Sequence, residues 1–194
     1  MINVKTILTR VNWFGFAGGV ITLLVVAVSL LQPWWQLTVG EDLLQANVSP
    51  VNTNFSFAGT VFTIPLVWAF NISCLLTLIA GGVAMLLYSF VPTKSYAKHL
   101  LGFSYKKPLY TLIFFIIGLI ATTVIVQAII GISMPLIGTT TATLPQNLTE
   151  GATVNIPLYT SFQWPFWLAA AAAALCIVAR LYHKRVAPAP KAAT

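Results

Sequence analysis

The chain has 194 residues, of which 58% are hydrophobic and only 7% charged. A soluble domain carries about 25% charged residues, so this composition excludes an ordinary water-soluble enzyme and points to the membrane. The net charge of +7 would suit nucleic acid or an acidic partner, but its placement along the chain suggests membrane orientation instead.

Residues 1–10 carry Lys5 and Arg10 and read as a short cytoplasmic N-terminus. Four apolar runs follow, at 11–32, 65–91, 108–132 and 165–182. Each is close to the roughly 20 helical residues that a hydrocarbon core of about 30 Å requires. The first is too long for a signal-peptide core and lacks a small-residue cleavage site before Pro33, so it is expected to be retained. Pro65, Pro108 and Pro165 sit at starts, where a missing amide donor costs nothing. Pro33, Pro92 and Pro135 sit just past ends. Trp34, Trp35, Trp68, Trp164 and Trp167 are expected at the outer headgroup level, and Trp13, Tyr88, Tyr105, Tyr110 and Tyr182 at the inner one.

The ten basic residues occupy the N-terminus, the segment 92–107 and the C-terminal tail, whereas Glu41, Asp42 and Glu150 occupy the other two loops. This sorting satisfies the positive-inside rule. The expected fold is therefore an all-α membrane protein, a four-transmembrane-helix bundle over 11–186 in the plasma membrane. Its two ends and loop 92–107 would be cytoplasmic, and 187–194 a disordered tail.

The outer loops, 33–64 and 133–164, are long for simple connections. Asn54–Phe62 partly alternates, as does Thr153-Val-Asn-Ile, so short strands forming a small β-rich cap are expected. Phe62-Thr-Ile-Pro65-Leu-Val-Trp68 and Phe162-Gln-Trp-Pro165-Phe-Trp167 are alike. They reflect either an internal repeat or the common preference of helix entries for Pro and Trp. Asn47, Asn54 and Asn147 each begin a glycosylation sequon in these loops. The sequons, and an outer face with few carboxylates for acid to protonate, suggest an archaeal or acid-exposed surface.

The layout looks like the claudin and tetraspan membrane families, with four helices, inside termini and Trp34-Trp35-Gln-Leu37 in the first outer loop. The likeness is one of topology. The cysteines of the claudin G-L-W-x-x-C-x-C pattern are absent here, so no paracellular role is carried over.

Chemistry is sparse. The spans hold no Asp, Glu, Lys or His at depth, and His99 and His183 both fall in cytoplasmic segments. No nucleophile–base set, carboxylate pair, metal-ligand spacing or phosphate loop can be assembled, so no catalytic residue, metal or cofactor is expected. Asn71 and Gln127 lie at similar depth in the second and third spans and are expected to hydrogen-bond to each other, as structural glue or a headgroup or quinone contact. Small residues at helix-packing spacing are Gly15 and Gly19, then Ser73, Thr77 and Gly81, then Gly118 and Thr122, with alanines from Ala169 to Ala174. The lysine- and aromatic-rich segment 93–107 is either a basic loop that enforces topology or a surface for anionic headgroups.

The function this supports is a non-catalytic accessory subunit of a larger membrane complex, for example a respiratory or other energy-transducing assembly. Its partners would be lipids and other membrane subunits, not nucleic acid. The alternatives are a self-associating surface or envelope protein and, behind it, a channel or carrier for a neutral solute.

Overall fold

A computed structural model describes residues 11–40, 42–143 and 155–187. In chain order the elements are helix α1 (Trp13–Ser29), strands β1 (Trp35–Val39), β2 (Leu44–Val48), β3 (Asn54–Phe57) and β4 (Thr60–Phe62), then helices α2 (Pro65–Phe90), α3 (Ala97–Ser104) and α4 (Lys106–Ile130). Strands β5 (Gly138–Thr143) and β6 (Asn155–Phe162) and helix α5 (Trp164–Val186) complete the described chain.

This arrangement corrects the all-α, four-span expectation in two respects. The strands form one six-stranded antiparallel sheet in the order β4-β3-β2-β1-β6-β5, so the protein is mixed α and β. Among the described residues three helical runs, not four, are long and apolar enough to cross a membrane: Pro65–Phe90, Ala97–Ile129 and Trp164–Val186. Helix α1 is equally apolar but has 17 residues. At 1.5 Å per residue it reaches about 26 Å, short of the ~30 Å hydrocarbon thickness.

The described chain divides into two compact units. One comprises Met1–Val28, Cys74–Leu112 and Trp167–Thr194, and the other Ser29–Ser73 and Ile113–Phe166.

In the first unit, α1 packs closely on α2 and α5. A Cβ added to Gly19 would lie 2.9 Å from Leu86 and 3.1 Å from the Gly82 carbonyl oxygen, and one added to Gly18 would lie 3.2 Å from the Cys176 amide nitrogen. Only glycine lets these backbones approach so near and gain the dispersion contacts that hold helices together in lipid. The alanine run of α5 serves the same packing, because Ala169, Ala172, Ala173, Cys176 and Ala179 recur at helical spacing and are all buried.

In the second unit, the sheet turns one face to a core of Trp35, Leu37, Ala46, Ala142 and Leu158, joined by Leu119 of α4. Alternate residues supply this face, as the pleat requires. Strands β1 and β6 pair with Trp35 opposite Phe162 and Val39 opposite Leu158, so both long loops contribute to one ladder. Strands β3 and β4 join through Ala58 and Gly59, whose φ angles of 47° and 79° suit the mirror-image turn that matches strand twist. Helix α4 ends at Gly131, whose φ of 76° lets its amide return to the Gln127 carbonyl.

Trp34 and Trp35 are buried and not part of a headgroup belt, being 1% and 2% exposed, and Trp35 belongs to this core. Trp34 meets Phe115 and Phe166 edge-on, and its indole donates to Ser29 Oγ at 2.7 Å. The Trp35 indole donates to the Leu136 carbonyl at 2.8 Å. Burying a Trp is favourable when its N–H finds an acceptor, and both do. Trp13, Trp68, Trp164 and Trp167 are exposed.

Candidate functional site

The main concentration of buried polar groups in the first unit begins at Asn12. Asn12 stands immediately before α1, and its Oδ1 accepts the Gly15 amide at 3.1 Å while its carbonyl accepts from Phe16. This is an N-cap, which satisfies donors that the first helical turn leaves unpaired. The other half of the amide works at long range. Nδ2 donates to the Tyr88 hydroxyl of α2 and to the Ala179 carbonyl of α5, each at 2.9 Å. The Asn12 amide nitrogen donates to the Ser89 carbonyl at 3.0 Å. One side chain thus ties three helices together.

Tyr88 extends the network to His183, whose Nδ1 lies 2.9 Å from its hydroxyl. The hydroxyl accepts from Asn12, and the imidazole tautomer sets which of the hydroxyl and Nδ1 donates in the second bond. Gly15 makes the arrangement possible: a Cβ there would meet Ser89 Oγ at 2.7 Å and the Tyr88 ring at 3.4 Å. Around the network pack Met85, Ala97, Leu101, Cys176 and Ala179, with Ser104 Oγ donating to the Leu101 carbonyl at 3.1 Å. Asn12, Tyr88 and Ser89 are fully buried and His183 nearly so. Their bonds run within the chain, and no described buried side-chain polar atom lacks a partner. Chemically this is a closed lock between helix ends, with the Tyr88 hydroxyl bonded to both Asn12 and His183.

By sequence alone Tyr88 is expected at the headgroup level and His183 in a cytoplasmic segment, and Asn12 carries no role. Only one local signal was available, an Asn directly before an apolar run, which is a helix-start signature. The partners lie 76 and 167 residues away, beyond the reach of any spacing pattern.

Asn71 and Gln127 are not brought together. Asn71 is buried, and with its amide oriented to satisfy both atoms it donates to the Val67 carbonyl and accepts the Thr53 amide at 2.5 Å. Gln127 is exposed on α4. Equal depth in two spans was the sole ground for joining them, and depth does not specify which way a helix faces.

The small residues also separate. Gly15 and Gly19 face close neighbours, and Gly81 lies against the stem of Lys107, where a Cβ would be 2.7 Å from Lys107 Cβ. Thr77 is half-buried and Ser73 exposed. Gly118 has nothing within 4 Å of where a Cβ would stand, and exposed Thr122 turns its hydroxyl back to the Gly118 carbonyl at 2.8 Å.

Of the sequon residues, Asn47 and Asn54 are cross-strand partners on β2 and β3, with Asn47 Nδ2 donating to Asn54 Oδ1 at 3.3 Å. Asn147 lies outside the described residues. Ser49 of the first sequon is buried in a turn, where its hydroxyl donates to the Asn52 carbonyl at 2.9 Å. The two similar stretches around Pro65 and Pro165 both join a strand to a helix, yet four strands precede the first and two the second. A shallow open groove beside β5 and β6 is lined by three threonines, Pro157 and Tyr159. Among the described residues, no three of His, Cys, Asp and Glu come together as metal ligands would, and Cys74 and Cys176 are free thiols.

No protein-family model matches this chain, and no curated protein matches it either. The apolar helices are compatible with a membrane protein, and the site's geometry carries the rest of the functional reading.

Proposed function

We propose that this chain is a non-catalytic accessory subunit of a larger integral membrane complex in the plasma membrane. A respiratory or other energy-transducing assembly is an example of such a host. The observation that carries the reading is the state of α4. The run it ends, Ala97–Ile129, is apolar enough to cross a membrane, yet only 6% of its most apolar stretch is buried. Phe114, Ile117, Val124, Ile125 and Ile129 all face outward. Lipid covers such a surface, but it offers no close packing to the open Gly118 and Thr122 and no partner to Gln127. A neighbouring helix supplies both. The closed bonding of the Asn12 network supports the same reading, since its polar groups serve helix packing and hold nothing open for a substrate.

The basic segments 94–107 and 180–185 are assigned to the cytoplasmic face, and the sheet-forming segments to the opposite one, by the positive-inside rule. The C-terminus follows Arg185 on the cytoplasmic side.

Extraction of native membranes in mild detergent tests the subunit reading. The tagged chain is expected to co-migrate with at least one other membrane protein in fixed stoichiometry. Migration as a lone monomer under every gentle extraction would overturn it. Self-association is the second reading, favoured by the open outer edges of β4 and β5 at the two ends of the described sheet. It predicts a homo-oligomer ladder on cross-linking through residues of those strands.

A further inference from the structure

All ten cations of the chain fall in the unit formed by Met1–Val28, Cys74–Leu112 and Trp167–Thr194, and all three carboxylates fall in the other. The first unit therefore has no acidic side chain of its own to neutralise any of its cations. Its aromatic residues meet the cations instead. The Arg180 guanidinium lies 4.3 Å over the Tyr105 ring, Lys107 Nζ 4.7 Å over Phe103, and the Arg185 guanidinium 5.7 Å over Tyr182. A ring face orients a cation without cancelling its charge.

Helix α3 meets the end of α5 where Arg180 lies over Tyr105. It buries Ala97, Leu101 and Ser104 and leaves Lys98 and His99 exposed. Beside them Tyr96 and Phe103 are 55% and 45% exposed. Large exposed rings interleaved with cations that have no carboxylate in their own unit are costly in bulk water, and they suit a plane where apolar chains meet anionic groups. An acidic peptide or a nucleic acid would find the cations but would leave Tyr96 and Phe103 wet. Helices α2 and α4, apolar enough to cross a bilayer, tether α3 at both ends and hold it at headgroup depth, an argument that rests on the membrane reading above.

We infer that α3 and the last turns of α5 form a binding surface for anionic phospholipid headgroups. Lys98, Lys106, Arg180 and Arg185 meet the phosphates, and Tyr96 and Phe103 enter the acyl boundary. Each cation near an anionic leaflet contributes about 5-fold in affinity, so removing three should weaken binding by about 100-fold.

The test is native mass spectrometry of the full chain in mixed micelles of phosphatidylglycerol and phosphatidylcholine at equal amounts. Wild type is expected to carry the anionic lipid in at least roughly tenfold excess. The exposed-residue variant K98Q/K106Q/R185Q should lose that excess, and the charge-conserving K98R/K106R/R185K should keep it. Equal adducts of both lipids on wild type, or an undiminished excess on the glutamine variant, would overturn the inference. Displacement of the lipid by inorganic phosphate at low millimolar concentration would also overturn it, since that marks a small-anion site. Alkaline carbonate washing of membranes separates the two readings. A chain that resists extraction but shows no lipid preference refutes only the headgroup surface, whereas a chain that is stripped off refutes the membrane reading beneath it.

Discussion

Replacing Asn12 by alanine removes a helix cap and two long-range hydrogen bonds in one step. The cap alone is worth about 1 kcal/mol. The Tyr88 hydroxyl and the Ala179 carbonyl each lose a buried donor, which adds about 1–2 kcal/mol because neither can turn to water. The expected loss is about 2–3 kcal/mol, or a fall of about 4–12 °C in the melting midpoint for a chain of this size. The assay is thermal unfolding of the purified protein in a neutral detergent, followed by tryptophan fluorescence. Asn12→Ser provides the internal control: it keeps an oxygen for the Gly15 amide but loses the long reach, so it should fall about halfway. Coupling to Tyr88 is measured by the cycle of Asn12→Ala, Tyr88→Phe and the double variant, with an interaction of at least about 0.5 kcal/mol expected. A midpoint for Asn12→Ala within about 1 °C of wild type, or strict additivity with Tyr88→Phe, would show that the network does not hold the helices together.

Other outcomes follow from the same geometry. Gly19→Val should lower the midpoint sharply, because a Cβ there already presses on the Gly82 carbonyl. Gly118→Val should leave the isolated chain's midpoint unchanged and instead weaken co-purification of partners, and a sharp fall in its midpoint would refute the open face. Asn71→Leu strands the Thr53 amide and is expected to cost about 1–3 kcal/mol in the same melting assay, whereas Gln127→Leu should cost nothing measurable. Ala58→Asn should raise the midpoint by a degree or more, because Ala58 holds a φ of 47° that asparagine tolerates better. A membrane-impermeant maleimide applied to intact cells should label Thr139→Cys and spare Ser95→Cys, and the reverse pattern would invert the proposed orientation.

Several local element positions, though not the fold class, were legible in the chain itself. Apolar runs and prolines placed α2 and α5 nearly to the residue at their starts, since Pro65 opens α2 and Pro165 is the second residue of α5. The alternation after Asn54 marked β3 and β4, with Gly59 between them. These are local signals, fixed by the period of a helix or pleat and by what a proline ring or a missing side chain allows. The sorting of cations from carboxylates was likewise visible at once, and it coincides with the division into two units.

Tertiary structure alone decided which polar groups meet. Asn71 and Gln127 share a depth but not a facing direction, and Asn12 finds partners on helices far along the chain. Strands β1 and β6, from different loops, pair to make one sheet out of segments that each carried only a weak pattern. The span count also changed here, because hydropathy runs through Gln32 while the helical hydrogen-bond ladder of α1 ends at Ser29. Composition sets how strongly a segment avoids water. Only three-dimensional packing sets which neighbour answers each donor and acceptor, because that depends on orientations that residues distant in sequence impose on one another.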